Sequence, residues 1–256
     1  MHESEQPSRR LVALRISPWS ERAKWALDHH RIAYTTLDHA PFVGERRLRR
    51  LVGSGKPRAT VPVLLAGAEV LTESWDIARY ADRHGSGSKL IPAEREAEVR
   101  RWNDLADETM AAARALVIAA MLASAEALDE GLPPGVPRAL RPLLRPIGRY
   151  AMIWFARKYG ARLADAQQHQ AKLRSTLQTL RAALAASDPY LLGAFSYADI
   201  VMATTLQSVS PVDKRYIRLG GATQKAWTQK ELAAEFADLI TWRDQLYARH
   251  RTPGAS

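Results

Sequence analysis

The residues most able to do chemistry are two hydroxyls three positions apart, in the tetrad Ser17-Pro18-Trp19-Ser20. An apolar run at 11–16 precedes them and a helical pattern follows, so they occupy a strand-to-helix turn. That arrangement has the outline of a C-x-x-C redox turn with both sulfurs replaced by hydroxyls. The chain contains no cysteine, so such a turn can hold a thiol but cannot be one. The first position is the nucleophile's place in turns of this kind, which makes Ser17 the candidate. Ser17 also reads as a helix N-cap, and Ser20 reads as a structural residue of the first turn.

Further along, Val61-Pro62 opens an apolar run. A proline lacks the N–H a strand needs, so it marks an edge or a bend. Glu73-Ser74 opens another helical pattern, where unpaired N–H groups and the macrodipole favour an anion. Lys56 and Arg58 stand just before Val61. Gly53-Ser54-Gly55-Lys56 fails as a phosphate loop, because Arg50 and Pro57 stand where that motif needs Gly and Ser or Thr. The seven histidines are scattered, and no metal site is expected.

The elements that must position these residues fall into two stretches. Over the first ninety residues, strands at 11–16 and 32–37 flank a helix at 21–30. A short basic helix follows at 45–51, then a hairpin around Gly67, and a closing helix at 73–83 that Thr72 could cap. His84-Gly85-Ser86-Gly87-Ser88 reads as a linker. Beyond Pro92 the periodicity is helical throughout, as expected of a bundle. One long helix carries Val99, Trp102, Ala106, Met110, Ala113 and Val117 and is broken at Leu132-Pro133-Pro134-Gly135. A second carries Leu163 to Leu184 and ends at Ser187-Asp188-Pro189. Ser196 and Asp199 form a capping-box variant, and a last helix covers 228–249.

Between the long helices lies a segment at 137–160 with Arg138, Arg141, Arg145 and Arg149 on one helical face. Leu140, Leu143, Leu144, Ile147 and Trp154 supply an apolar side, and Pro142 and Pro146 interrupt it. Three roles stay open for it: packing at a dimer interface, lidding a site, or peripheral contact with an anionic membrane.

Composition sets outer bounds. The chain has 256 residues, 46% of them hydrophobic, and a net charge of +10, so it can bury a sizeable core. The excess charge is evenly spread, with 15 basic against 10 acidic residues before position 91 and 22 against 17 after it. The basic cluster at 46–58 has few aromatics for stacking bases, so no nucleic-acid partner is expected. The N-terminus lacks the pattern of a signal peptide, and a cytoplasmic location is expected.

Four motifs in this order and spacing resemble the cytosolic glutathione S-transferases over nearly the whole chain. They are the serine turn; Thr60-Val61-Pro62-Val63-Leu64; Leu71-Thr72-Glu73-Ser74-Trp75-Asp76-Ile77-Ala78-Arg79-Tyr80; and Tyr190-Leu191-Leu192-Gly193-Ala194-Phe195-Ser196-Tyr197-Ala198-Asp199-Ile200. The resemblance implies an α/β thioredoxin-like N-terminal domain over 8–84 and an all-α helical-bundle domain over 92–250, commonly as a homodimer. It implies glutathione as co-substrate, no metal, and a small hydrophobic electrophile as the second substrate. Ser17 would donate to the glutathione sulfur. A cis Val61–Pro62 bond would leave the Val61 backbone free to pair with the glutathione peptide. Glu73 would face the γ-glutamyl ammonium and Ser74 its carboxylate, and Lys56, or alternatively Arg58, would pair with the glycine carboxylate. Thr60 stands where some members place a basic residue.

The absence of a tyrosine near the turn and of any cysteine argues against the tyrosine-using and thiol-using branches. Trp19, Trp102, Met110 and Arg114 are the candidates to line the electrophile pocket. A non-catalytic glutathione-binding or regulatory module of the same fold is the alternative reading. A glutathione-dependent isomerase or dehalogenase would use the same thiolate.

Overall fold

A computed structural model describes residues 9–41, 43–53, 59–133, 135–187 and 189–253. Strand β1 (Arg9–Ala13) leads through helix α1 (Pro18–His29) to β2 (Thr35–Asp38), then α2 (Glu45–Val52), β3 (Val63–Ala66), β4 (Glu69–Leu71) and α3 (Ser74–His84). The sheet order is β2-β1-β3-β4. β1 runs parallel to β2, with Arg10 opposite Thr35, and antiparallel to β3, with Leu11 opposite Leu64. Because side chains alternate along a strand, Leu11, Ala13 and Leu64 face the main core with α1 and α3. Val12, Val63 and Leu65 face a smaller core that Leu48 of α2 covers.

β1 ends earlier than its apolar run, and residues 14–16 instead form the turn into α1. Pro18 then starts the helix at the first position, where its missing N–H costs nothing. Glu73, not Thr72, occupies the N-cap of α3.

The rest of the described chain is helical: α4 (Glu96–Ala123), α5 (Ala125–Glu130), α6 (Arg141–Lys158), α7 (Ala166–Ser187), α8 (Tyr197–Thr205), α9 (Gly221–Trp227), α10 (Lys230–Glu235) and α11 (Ala237–His250). The break expected at 132–135 comes earlier. Ser124 leaves helical geometry, and its hydroxyl accepts from Ala127 N at 3.1 Å to cap α5. The single last helix expected at 228–249 is two, divided at the fully buried Phe236. Asp199 accepts from Ser196 N at 2.8 Å, Ser196 Oγ at 2.9 Å and Leu191 N at 2.8 Å, the reach-back expected of it. Among the described residues no helix is long and apolar enough to cross a membrane.

The segment at 137–160 does not present its arginines as a free basic face. Arg145 makes two 2.7 Å bonds to Asp129, and Arg149 donates to the Leu122 carbonyl. Those contacts hold α6 on the α4–α5 corner and turn Leu143 and Ile147 outward.

Two buried polar anchors join the sheet layer to the helices. Arg22 of α1 donates to Thr204 Oγ1 at 3.0 Å and to Asp107 of α4. Asp82, near the end of α3, accepts from His30 Nε2 at 2.6 Å, Leu90 N at 2.9 Å and Ile91 N at 2.8 Å. Burial pushes the Asp82 carboxyl up, and those three donors outweigh it and hold the group below the usual carboxylate range.

The sign follows from linkage. A depressed folded pKa contributes stability above the unfolded value, near pH 4, and loses it as pH falls through the folded value. Asp82→Asn is expected to cost about 1–2 kcal/mol at neutral pH. It should also flatten the acid limb of the stability curve below about pH 4. Parallel acid limbs in urea titrations of the two proteins would refute this.

Candidate functional site

A cavity of about 730 Å³ lies between the sheet layer and the helices, within the size range of small-molecule sites. One wall comes from turns of the first ninety residues: Ser17, Pro18 and Trp19 at the start of α1, Val61 and Pro62 before β3, and Glu73 at the start of α3. The opposite wall is one face of α4, from Asp107 through Met110 and Arg114 to Met121. α6 covers the cavity with Met152, Phe155 and Tyr159. Its end is tied to α2 by Lys158 Nζ, which bonds the two Glu45 oxygens at 2.7 and 2.8 Å. The segment at 137–160 thus stands over the cavity where a lid would.

The two serines of the turn separate cleanly. Ser20 is 1% exposed and its hydroxyl accepts from Leu14 N at 3.1 Å, which makes it a structural brace. Ser17 lines the cavity, and its hydroxyl accepts only a long 3.4 Å bond from Ser20 N. A serine hydroxyl carries one donor hydrogen besides its lone pairs. Among the described residues, Ser17 gives that hydrogen to none. Ser17 is therefore the N-cap of a twelve-residue helix, as one of its two readings expects, and among the described residues its donor hydrogen is uncommitted.

The Val61–Pro62 bond is cis, and both residues line the cavity. Glu73 lines it as well, whereas Ser74 is 4% exposed and lies off the wall. Lys56 and Arg58 lie outside the described residues. Of the pocket candidates, Trp19, Met110 and Arg114 line the cavity and Trp102 does not. At about 100° per residue, Trp102 falls roughly 120° round α4 from Arg114, and it packs against the main core instead.

Asp107 and Tyr159 are lining residues that the sequence reading missed. Asp107 Oδ1 accepts from Trp19 Nε1 at 2.9 Å and also from Arg22, while its Oδ2 accepts from Asn103 Nδ2 at 3.2 Å. Its position seven residues before Arg114, two helical turns, was the available signal. Tyr159 had none, because its place depends on how α6 folds over.

Two family models match the chain, one described as the glutathione S-transferase N-terminal domain over residues 16–84 and the other as its C-terminal domain over 154–246. Together they cover more than half of the sequence. No curated protein sequence matches. Among solved structures, a glutathione S-transferase from Methylobacillus flagellatus with glutathione bound is similar at 18% identity and a TM-score of 0.59, covering 95% of this chain and 96% of that one. The beta-etherase LigF from Sphingobium is similar at 18% identity and a TM-score of 0.62, covering 94% and 96%. A glutathione transferase from Phanerochaete chrysosporium is similar at 17% identity and a TM-score of 0.64, covering 96% and 99%. At these identities the likeness is one of fold: a thioredoxin-like four-stranded layer followed by a helical part.

Proposed function

The chain belongs to the glutathione S-transferase family, and we propose that it is a transferase that activates the glutathione thiol at Ser17 for attack on a hydrophobic electrophile held under α6. The observation that carries this reading is Ser17, which lines the cavity at a helix N-terminus and whose hydroxyl hydrogen is given to no partner among the described residues.

Free thiols titrate near ~8.5, and lowering that by about two units requires ~2.7 kcal/mol of preference for the thiolate. One hydrogen bond to a charged group supplies ~1.5–3 kcal/mol and the helix terminus ~0.3–1. Ser17 is thus sufficient without a general base. Val61 and Glu73 stand on the same wall, and in this reading they receive the peptide and γ-glutamyl parts of the co-substrate. In the reaction the thiol proton passes to solvent water, the thiolate lone pair forms a bond to carbon, and the leaving group departs with the electron pair of the carbon bond that breaks. Met110, Met152 and Phe155 supply an apolar bed for the electrophile. The lid limits access of water, which strengthens the Ser17 hydrogen bond.

The protein is expected to be retained on immobilised glutathione and to conjugate a chlorodinitrobenzene. Retention without turnover of any aryl halide or enone would make it a glutathione-binding module, and failure of both would end the transferase reading.

A further inference from the structure

Arg114 is an arginine inside a cavity, with no counter-ion among the described residues. Its guanidinium carbon lies 4.6 Å from the centroid of the Trp19 ring and 4.2 Å from that of Tyr159, so residues from the serine turn and from the lid hold it together. Among the described residues it makes no hydrogen bond and no ion pair. The arginines buried elsewhere do not share this condition: Arg22 pairs with Asp107 and Arg251 with Glu21 and Asp28.

Asp107, the nearest acid on α4, is committed to Arg22, Trp19 and Asn103. Burial lowers the Arg114 pKa, and Tyr159 and Asp107 only partly oppose it. Guanidinium nonetheless stays charged, since its ordinary value lies above ~12. The other charges on the cavity wall do not answer it. Glu130 caps the amides of Ala222 and Thr223 at 3.0 and 2.8 Å, Glu73 stands on the opposite wall at the start of α3, and Arg218 is a second, exposed cation.

Contact with two rings is worth roughly 0.5–2 kcal/mol to a cation and leaves its edge N–H groups unserved. Those groups form a planar fork that matches a carboxylate. Trp19 follows Ser17 by two residues, so the ring under Arg114 belongs to the turn that holds the reacting sulfur in the reading above.

We propose that Arg114 is the specificity residue of this cavity, and that it binds an acidic group, a carboxylate in the first instance, on an otherwise apolar electrophile. The apolar body would lie along Met110, Val117, Ile118 and Phe155. The proposal rests on the transferase reading for the place of the sulfur and not for the binding itself.

Titration calorimetry with cinnamate and methyl cinnamate, without glutathione, tests it on the intact chain. The wild type should bind the acid about tenfold more tightly than the ester, the worth of one charge-assisted contact. Arg114→Met should abolish that preference while leaving ester affinity within about twofold and the fold intact by circular dichroism, and Arg114→Lys should keep part of it. Equal or absent binding of the acid by the wild type overturns the proposal. Equal loss of acid and ester in Arg114→Met, whose mark would be a collapsed cavity, overturns it too. A protein that prefers the acid but ignores immobilised glutathione would lose the transferase reading and keep this one.

Discussion

Ser17→Ala should lower kcat/KM for conjugation about 10- to 100-fold, the rate equivalent of one hydrogen bond to a charged sulfur. The loss should fall on kcat at neutral pH, with glutathione affinity kept, because the wall formed by Val61 and Glu73 is untouched. Raising the pH should restore much of the rate as the thiol ionises unaided. Stability should fall by only about 0.5–1 kcal/mol, since the N-cap bond removed with the hydroxyl is already long. Ser20→Ala is the contrasting control. It strands the partly buried Leu14 N–H, so it should cost about 1 kcal/mol of stability and leave the pH–rate profile in place. Equal kinetic losses in the two variants would mean that the turn acts only through its shape.

The largest effect on stability is expected from Asp107→Ala, about 2–3 kcal/mol in urea unfolding. Arg22 is fully buried, and removing the carboxylate leaves its guanidinium only the hydroxyls of Thr204 and Thr205. Stranding one partner of a buried pair is costly, and the lower end of that cost applies because Asp107 itself is partly exposed to water. The same change removes the acceptor of the Trp19 indole N–H, so the KM for the electrophile should rise as the ring under Arg114 loosens. Asp107→Asn keeps an acceptor and should cost about 1 kcal/mol. An alanine variant as stable as the asparagine one would show that the pair contributes little and that α1 is held on α4 by packing alone.

Much of the fold could be read locally, because strand and helix periods are local signals. The two-residue alternation of Leu11, Val12 and Ala13 sorts them onto the two cores, and the three- and four-residue spacing of Leu173, Leu177, Leu180 and Leu184 gives α7 its buried stripe. The errors came where a distant contact overrode the local pattern. Phe236 breaks the last helix because its ring is buried, with Arg181 over it at 4.4 Å. Arg145 of α6 is drawn onto the α4–α5 corner, still partly exposed, because Asp129 on another helix bonds it.

The site follows the same division. Ser17, Val61, Pro62 and Glu73 belong to short motifs at element ends and do line the cavity. Trp102 is expected at the pocket from its type alone, and it lies on the other side of α4. Tyr159 and the lid it belongs to meet the serine turn only in three dimensions.

The central claim is that Ser17 stabilises a bound thiolate, and the most direct measurement is the ultraviolet absorbance titration of the thiol in the protein–glutathione complex. The wild type should show a thiol pKa about two units below the free value of ~8.5, and Ser17→Ala should return most of that shift. A wild-type thiol that titrates like free glutathione, or a shift that survives in Ser17→Ala, would contradict the account.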